Sequence, residues 1–353
     1  MSLVELARPE IRQLHAYAAA EQVANTIRLN ANESPPLTTG DEFRRPLNRY
    51  PEVRPRRLQE ALAKRFGCET GQLLVTRGSS EAIDLLVRSF CRAGQDSVLT
   101  ISPSFSMYGH YAAIQGAEVI EVPTSAARDF SLDIDALLAA CQADTRLIFL
   151  CSPNNPTGTT LACAQLERLV QERSQQSAVV IDEAYIEFGD APSAIELLDR
   201  HPNLLVLRTL SKALALAGAR CGAVIGRRPV IEMLNAVQAP YAMATPVVEC
   251  VEDALRDERL TLAEKAVAGI VAERERLIRT ISGYSFVDRV WPSAGNFFLT
   301  RVKDPERLMR HCAGQGILLR HFGGEMQDFV RISVGSVAEN DQLVSALDAL
   351  EDS

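Results

Sequence analysis

The chain has 353 residues, 47% of them hydrophobic, and a formal net charge of -8. That length supports more than one packed core, so a large domain and a smaller one are expected. The acidic balance and scattered basic residues exclude the electrostatic footprint of a nucleic-acid binder, and any anionic ligand must be met by local arginines.

The opening MSLVELARPE has no basic stretch followed by an apolar one, and no apolar run approaches the ~18 residues of a membrane span, so a soluble, cytoplasmic protein with no membrane partner is expected. The eight cysteines form no CxxC pair and mostly sit in apolar stretches such as Phe149-Leu150-Cys151, which reads as a set of reduced core thiols. Residues 29–36, LNANESPP, are too broken by Asn and Pro for regular structure. They predict an arm over 1–45 that crosses the surface to the small domain or a partner subunit. Over 46–246, strand-like runs at 73–76, 97–101, 118–122, 147–151, 178–182, 204–208 and 221–225 alternate with helical ones, including 81–91, 105–115 and 161–173. The alternation predicts an α/β fold whose mostly parallel sheet is covered by helices. From 247 to 353 the texture changes to long charged helices (263–281) and short strands (296–301, 329–334), a smaller α+β domain.

Ligands of such sheets lie beyond the carboxyl ends of the strands, so the residues after each strand come first. After 73–76, Arg77-Gly78-Ser79-Ser80 offers a tight turn and two hydroxyls at the start of a helix, which suits a phosphate and equally an ordinary N-cap. After 147–151, Ser152-Pro153-Asn154-Asn155-Pro156-Thr157-Gly158 is a rigid loop holding the Asn155 amide toward a ring oxygen or a substrate carboxylate. Asp182 ends a central strand and needs a cation or donors if buried; a pyridinium nitrogen fits, while a metal has no accompanying His or Cys cluster. Tyr185, three residues on, can donate to a phenolic oxygen on that ring.

The most informative stretch is TLSKALALAGAR, 209–220, where Lys212 stands alone in an apolar run. Such a lysine snorkels, is paired, or is chemically used, for instance by condensing with an aldehyde. Thr209, Ser211 and Arg220 add groups for a phosphate. An amine for an aldehyde, a carboxylate for a ring nitrogen, donors for a ring hydroxyl and a phosphate cradle are together the requirements of pyridoxal phosphate.

These segments, with LNANESP (29–35), NRYP (48–51), VIDEAYIEF (180–188) and VRISVG (330–335), resemble the fold-type I aminotransferases over nearly the whole chain, and within them the histidinol-phosphate branch. The resemblance implies that Lys212 holds the cofactor covalently and shuttles the substrate proton. It implies that Asp182 pairs with the ring nitrogen, Tyr185 and Asn155 bond the ring oxygen, and Tyr108 stacks on the ring. Ser79, Ser80, Thr209, Ser211 and Arg220 would hold the phosphate. Tyr50 would reach the neighbouring subunit's cofactor in a homodimer. Arg331 would take the substrate carboxylate, with Asn155 beside it, and Tyr17 and Arg320 the substrate's phosphate end. Gly78-Ser79-Ser80 departs from the Gly-Ala-Asp of many relatives, and 321–326 matches no family pattern.

The implied reaction exchanges histidinol phosphate and 2-oxoglutarate for imidazole-acetol phosphate and glutamate. Its rivals are an aromatic or other amino-acid aminotransferase, a decarboxylase of an O-phosphorylated amino acid, and a non-enzymatic regulator on the same fold.

Overall fold

Continuous apolar runs such as Ala178-Val179-Val180-Ile181 suit strands covered on both faces. The computed structural model, which describes residues 2–18, 20, 22, 28–36 and 44–352, places them inside a seven-stranded sheet. Its strands are β1 (Leu73–Thr76), β2 (Ser97–Ser102), β3 (Glu118–Pro123), β4 (Thr145–Cys151), β5 (Ala178–Asp182), β6 (Leu204–Thr209) and β7 (Gly222–Ile225), in the order β1-β7-β6-β5-β4-β2-β3. Pairing is parallel from β3 across to β6. Strand β7 instead runs antiparallel to both β6 and β1. Residues 210–221 link β6 to β7 and hold only a short 3-10 segment, Ala217–Ala219, so no helix crosses the sheet between them and the chain turns straight back. Lys212 sits in that turn.

The helices are α1 (Pro9–Arg12), α2 (Arg56–Phe66), α3 (Gly78–Phe90), α4 (Met107–Gln115), α5 (Ile134–Ala140), α6 (Cys163–Glu172), α7 (Arg228–Val237), α8 (Thr245–Ala254), α9 (Asp257–Ile281), α10 (Pro305–Gly314) and α11 (Val337–Glu351). One face of the sheet is covered by α3, α4 and α7, with Leu86, Phe90, Tyr108 and Leu234 packed on Phe149 and Val180. The other is covered by α2, α6 and α8, with Leu62, Leu169 and Val251 packed on Ile148 and Val206. A second sheet, of β8 (Val287–Val290), β9 (Phe297–Val302), β10 (Arg320–His321) and β11 (Phe329–Ser333), is antiparallel throughout in the order β10-β11-β9-β8. Leu277, Leu308, Cys312 and Leu347 from α9, α10 and α11 close a core against Phe298 and Val330 of that sheet.

Two sets of contacts bear on the expected boundaries. In the opening segment, Leu3, Leu6 and Ala7 are buried in the core formed with α3 and α7, and the Arg8 amide donates to the Ser89 carbonyl at 2.9 Å. Three apolar side chains in the opening segment cover the groove between those helices, which outweighs the broken texture that follows. The division expected at residue 247 falls inside α8. Helix α8 buries Val248 and Val251 in the large core, and its Glu249 accepts from the Arg45 amide at 2.8 Å. It is α9 that passes from one core to the other, with Val267 and Val271 against the first and Leu277 and Ile281 in the second.

Candidate active site

At the carboxyl ends of β4, β5 and β6 the chain encloses a cavity of about 200 Å³. Nine residues singled out from the sequence line it: Ser79, Ser80, Asn155, Asp182, Tyr185, Thr209, Ser211, Lys212 and Arg220. They come from four separate segments of the chain, so a single space is made by the sheet order rather than by neighbours in the chain.

Asp182 is 2% exposed and each of its oxygens is held by one donor. The Tyr108 hydroxyl donates to Oδ2 at 2.9 Å and the Ala184 amide to Oδ1 at 3.1 Å. Burial raises its pKa to about 6, against the pull of Tyr108, the Ala184 amide and Lys212. Among the described residues no cation lies within ion-pair distance of this carboxylate.

Lys212 stands across the cavity, its Nζ 5.5 Å from the centre of the Tyr185 ring. Its pKa is lowered by burial and by Arg331 and Arg220, with Asp182 opposing. The Leu210 amide donates to the Cys221 carbonyl at 3.0 Å and the Ala215 amide to the Lys212 carbonyl at 3.0 Å, so the lysine is carried on a closed turn.

Around the first turn of α3, Gly78 (φ +73°) approaches Arg220 so closely that a Cβ there would stand 2.7 Å from Nη2. Thr209 Oγ1 and Ser211 Oγ are 2.9 Å apart on the facing wall. Arg220, itself at φ 50°, donates to the Ala217 carbonyl at 3.2 Å, and no carboxylate among the described residues pairs with it. Hydroxyls, helix amides and an uncompensated guanidinium converge here, an arrangement that suits a phosphate. Gly78→Ala displaces Arg220 and strains the backbone, so the substitution is expected to weaken cofactor binding about tenfold. A fluorescence titration of the cofactor-free variant measures this.

Arg331 lies at the side of the cavity, where it donates from Nη1 to Asn155 Oδ1, while Asn155 Nδ2 donates to the Tyr185 hydroxyl at 3.4 Å. Phe297 separates the two partners, with Tyr185 against its edge at 5.0 Å and the Arg331 guanidinium 5.4 Å from its centre. The Arg331 Nε is buried without a partner. Across the β10–β11 ladder, Arg331 stands opposite Arg320 in register.

Tyr108 is the site expectation the structure overturns. It is fully buried, stacked on Phe149 with ring centres 4.9 Å apart and planes 5° off parallel, so its face has no room for a cofactor ring. Phe105 lines the cavity in its place. The strand-end rule pointed there already, since Phe105 follows β2 three residues before Tyr108.

Tyr17 and Tyr50 lie outside this cavity. Both are exposed, at 58% and 50%, and both contact Tyr241, Tyr50 by stacking at 4.7 Å and Tyr17 edge-on at 6.2 Å. The LNANE and NRYP segments meet at Glu33, whose side chain accepts from Arg28 at 2.6 Å, from Arg49 at 2.7 Å and from the Tyr50 amide at 2.8 Å. Glu33 thus braces the loop that presents Tyr50.

A buried carboxylate without a cation, an arginine without a carboxylate and a depressed lysine share one cavity, and pyridoxal phosphate supplies the complement of each. On a mostly parallel seven-stranded sheet with a smaller α+β unit, this defines a fold-type I pyridoxal-phosphate enzyme.

Sequence profiles of known families match over residues 23–347 to "Aminotransferase class I and II". The histidinol-phosphate aminotransferase of Xylella fastidiosa (strain 9a5c) is 42% identical over 98% of this chain and 96% of that one. The enzyme of the same name from Stenotrophomonas maltophilia is 41% identical over 98% and 97%. Among solved structures, the histidinol-phosphate aminotransferase of Sinorhizobium meliloti in complex with pyridoxal-5'-phosphate superposes with a TM-score of 0.76 at 26% identity, covering 87% of this chain and 83% of that one. The chain belongs to the aminotransferase class I and II family, whose members depend on pyridoxal phosphate.

Proposed function

We propose that this aminotransferase exchanges an amino group between histidinol phosphate and 2-oxoglutarate, acting in the cytoplasm as a homodimer. The observation that carries this reading is a pair of cations: Arg331, bonded to the cavity-lining Asn155, stands in register with Arg320 across β10 and β11, with no carboxylate paired to either among the described residues. Two uncompensated guanidinium groups next to a phosphate-sized cradle suit substrates with an anionic group at each end.

When bound, pyridoxal phosphate supplies an aldehyde for the amino group and a ring that spreads the charge left on the substrate carbon. The chain's residues do the rest. Ser79, Ser80, Thr209, Ser211 and Arg220 bind the phosphate, and Phe105 takes the ring-facing place. Asp182 holds a proton on the ring nitrogen, while Tyr185 and Asn155 donate to the ring oxygen. Lys212 would hold the cofactor's aldehyde carbon through Nζ, and the same amine, when free, would carry the proton taken from the substrate carbon. Its lowered pKa favours the neutral amine this needs. Arg331 and Asn155 grip the carboxylate of glutamate, Tyr17 and Arg320 the phosphate of the other substrate, and Tyr50 completes the partner subunit's site. We place the division between a large cofactor-binding domain and a small domain within α9.

Holoenzyme given histidinol phosphate and 2-oxoglutarate is expected to form glutamate in proportion to the phosphorylated amine consumed. No glutamate from that pair, together with turnover of phenylalanine or release of carbon dioxide from phosphothreonine, overturns the reading.

A further inference from the structure

Helix α4 follows β2 over the sheet and carries Tyr108 across β4 toward β5. Three contacts fix this side chain. Its ring lies flat on Phe149 of β4, and the edge of Phe105 meets it at 5.6 Å. Its hydroxyl, fully buried, donates to Asp182 Oδ2. Cys151, two residues beyond Phe149 on the same strand, stands in register with Asp182. A tyrosine that only filled the core would need no such acceptor, and phenylalanine would fill the same space.

We infer that Tyr108 is a positioning residue for the cofactor's ring nitrogen: it clamps one oxygen of Asp182 while the Ala184 amide clamps the other, fixing the plane of the carboxylate and keeping it ionised. The inference rests on the reading of Asp182 as the partner of that nitrogen. The backbone amide is present whatever the side chains are, so the orientation of the carboxylate depends on the tyrosine. Because the pair is shielded from water, the hydrogen bond is stronger than at a surface, and its loss leaves Oδ2 without a donor. Burial already presses Asp182 toward the neutral acid, and the phenol opposes it.

Tyr108→Phe keeps the ring on Phe149 and removes one hydroxyl. Cofactor titrated into the cofactor-free variant is expected to bind about tenfold more weakly. Cofactor labelled with ¹⁵N in the ring is expected to give a resonance moved toward the unprotonated position at the same pH. In an Asp182→Asn background the same substitution is expected to change neither. If Asp182→Asn alters affinity and resonance but Tyr108→Phe alters neither, the positioning role is overturned and the reading of Asp182 stands. If Asp182→Asn itself alters neither, that reading is overturned and this inference with it. Should the phenylalanine variant not fold, 3-fluorotyrosine placed at 108, a stronger donor of nearly the same shape, is expected to move the resonance toward the protonated side, and no movement overturns the inference.

Discussion

Replacing Lys212 by alanine is expected to lower kcat by about 10⁴-fold or more, since the substitution removes both the covalent attachment and the proton carrier. The rest of the cradle survives, because Ser79, Ser80, Thr209, Ser211 and Arg220 lie on other parts of the wall. The variant is therefore expected to bind pyridoxal phosphate still, but reversibly. The measurement that separates attachment from binding is borohydride reduction followed by peptide mapping. In the parent protein a reduced pyridoxyl tag is expected on the peptide carrying residues 209–220, and in the variant none. A tag on another lysine, or full activity without Lys212, removes the basis of the mechanism. Lys212→Arg is no rescue, because a guanidinium stays protonated and cannot condense with an aldehyde or accept the substrate proton.

The strands were legible because a sheet covered on both faces demands unbroken apolar runs. Ala178, Val179, Val180 and Ile181 follow one another with no polar residue between them, and β1 and β5 fall at the expected residues. The cavity was legible for the same reason, since parallel strands deliver their following residues to one edge. What the sequence hid is set by contacts between distant residues. Tyr108 and Phe105 are three residues apart, one in α4 and one before it, and only the packing on Phe149 decides which of them faces the cavity. Helix α8 carries a charged face like that of the small-domain helices, but its Val248 and Val251 are buried in the large core, while Glu249 and Glu252 pair with Arg44 and Arg45 of the arm. The reversal at β7 goes with a connection, residues 210–221, that carries no crossover helix, which the run of strand-like segments by itself does not reveal. Glu183 is a further example: beside Asp182 in the motif, it turns away into a buried pairing with Arg208 at 3.3 Å and serves the framework rather than the cavity.

Asp182→Asn is expected to move stability and activity in opposite directions. Without cofactor, the carboxyl has a pKa of about 6 in the folded chain against an ordinary 3.8, because burial disfavours its charge. Folded protein thus binds a proton in this window that unfolded protein does not. The resulting stability is fully present below about pH 4 and is lost as pH rises through about 6, on the order of 3 kcal/mol from the size of the shift. Asparagine cannot ionise and still accepts the Tyr108 hydroxyl, so the cofactor-free variant is expected to be more stable than the parent at pH 8 and no more stable at pH 4. A ring N–H⁺ reverses the balance, because the buried charge then has its cation. The parent is therefore expected to gain more thermal stability from pyridoxal phosphate at pH 8 than at pH 5, and the variant to gain less than the parent at pH 8. Its kcat is expected to fall about a thousandfold, since a neutral amide does not hold the ring nitrogen protonated and the ring then withdraws electrons poorly. Melting curves at pH 4, 5 and 8, with and without cofactor, test the linkage. A cofactor-free variant that melts below the parent at pH 8 would show that the buried carboxylate is already compensated within the chain, leaving no charge for the cofactor to answer.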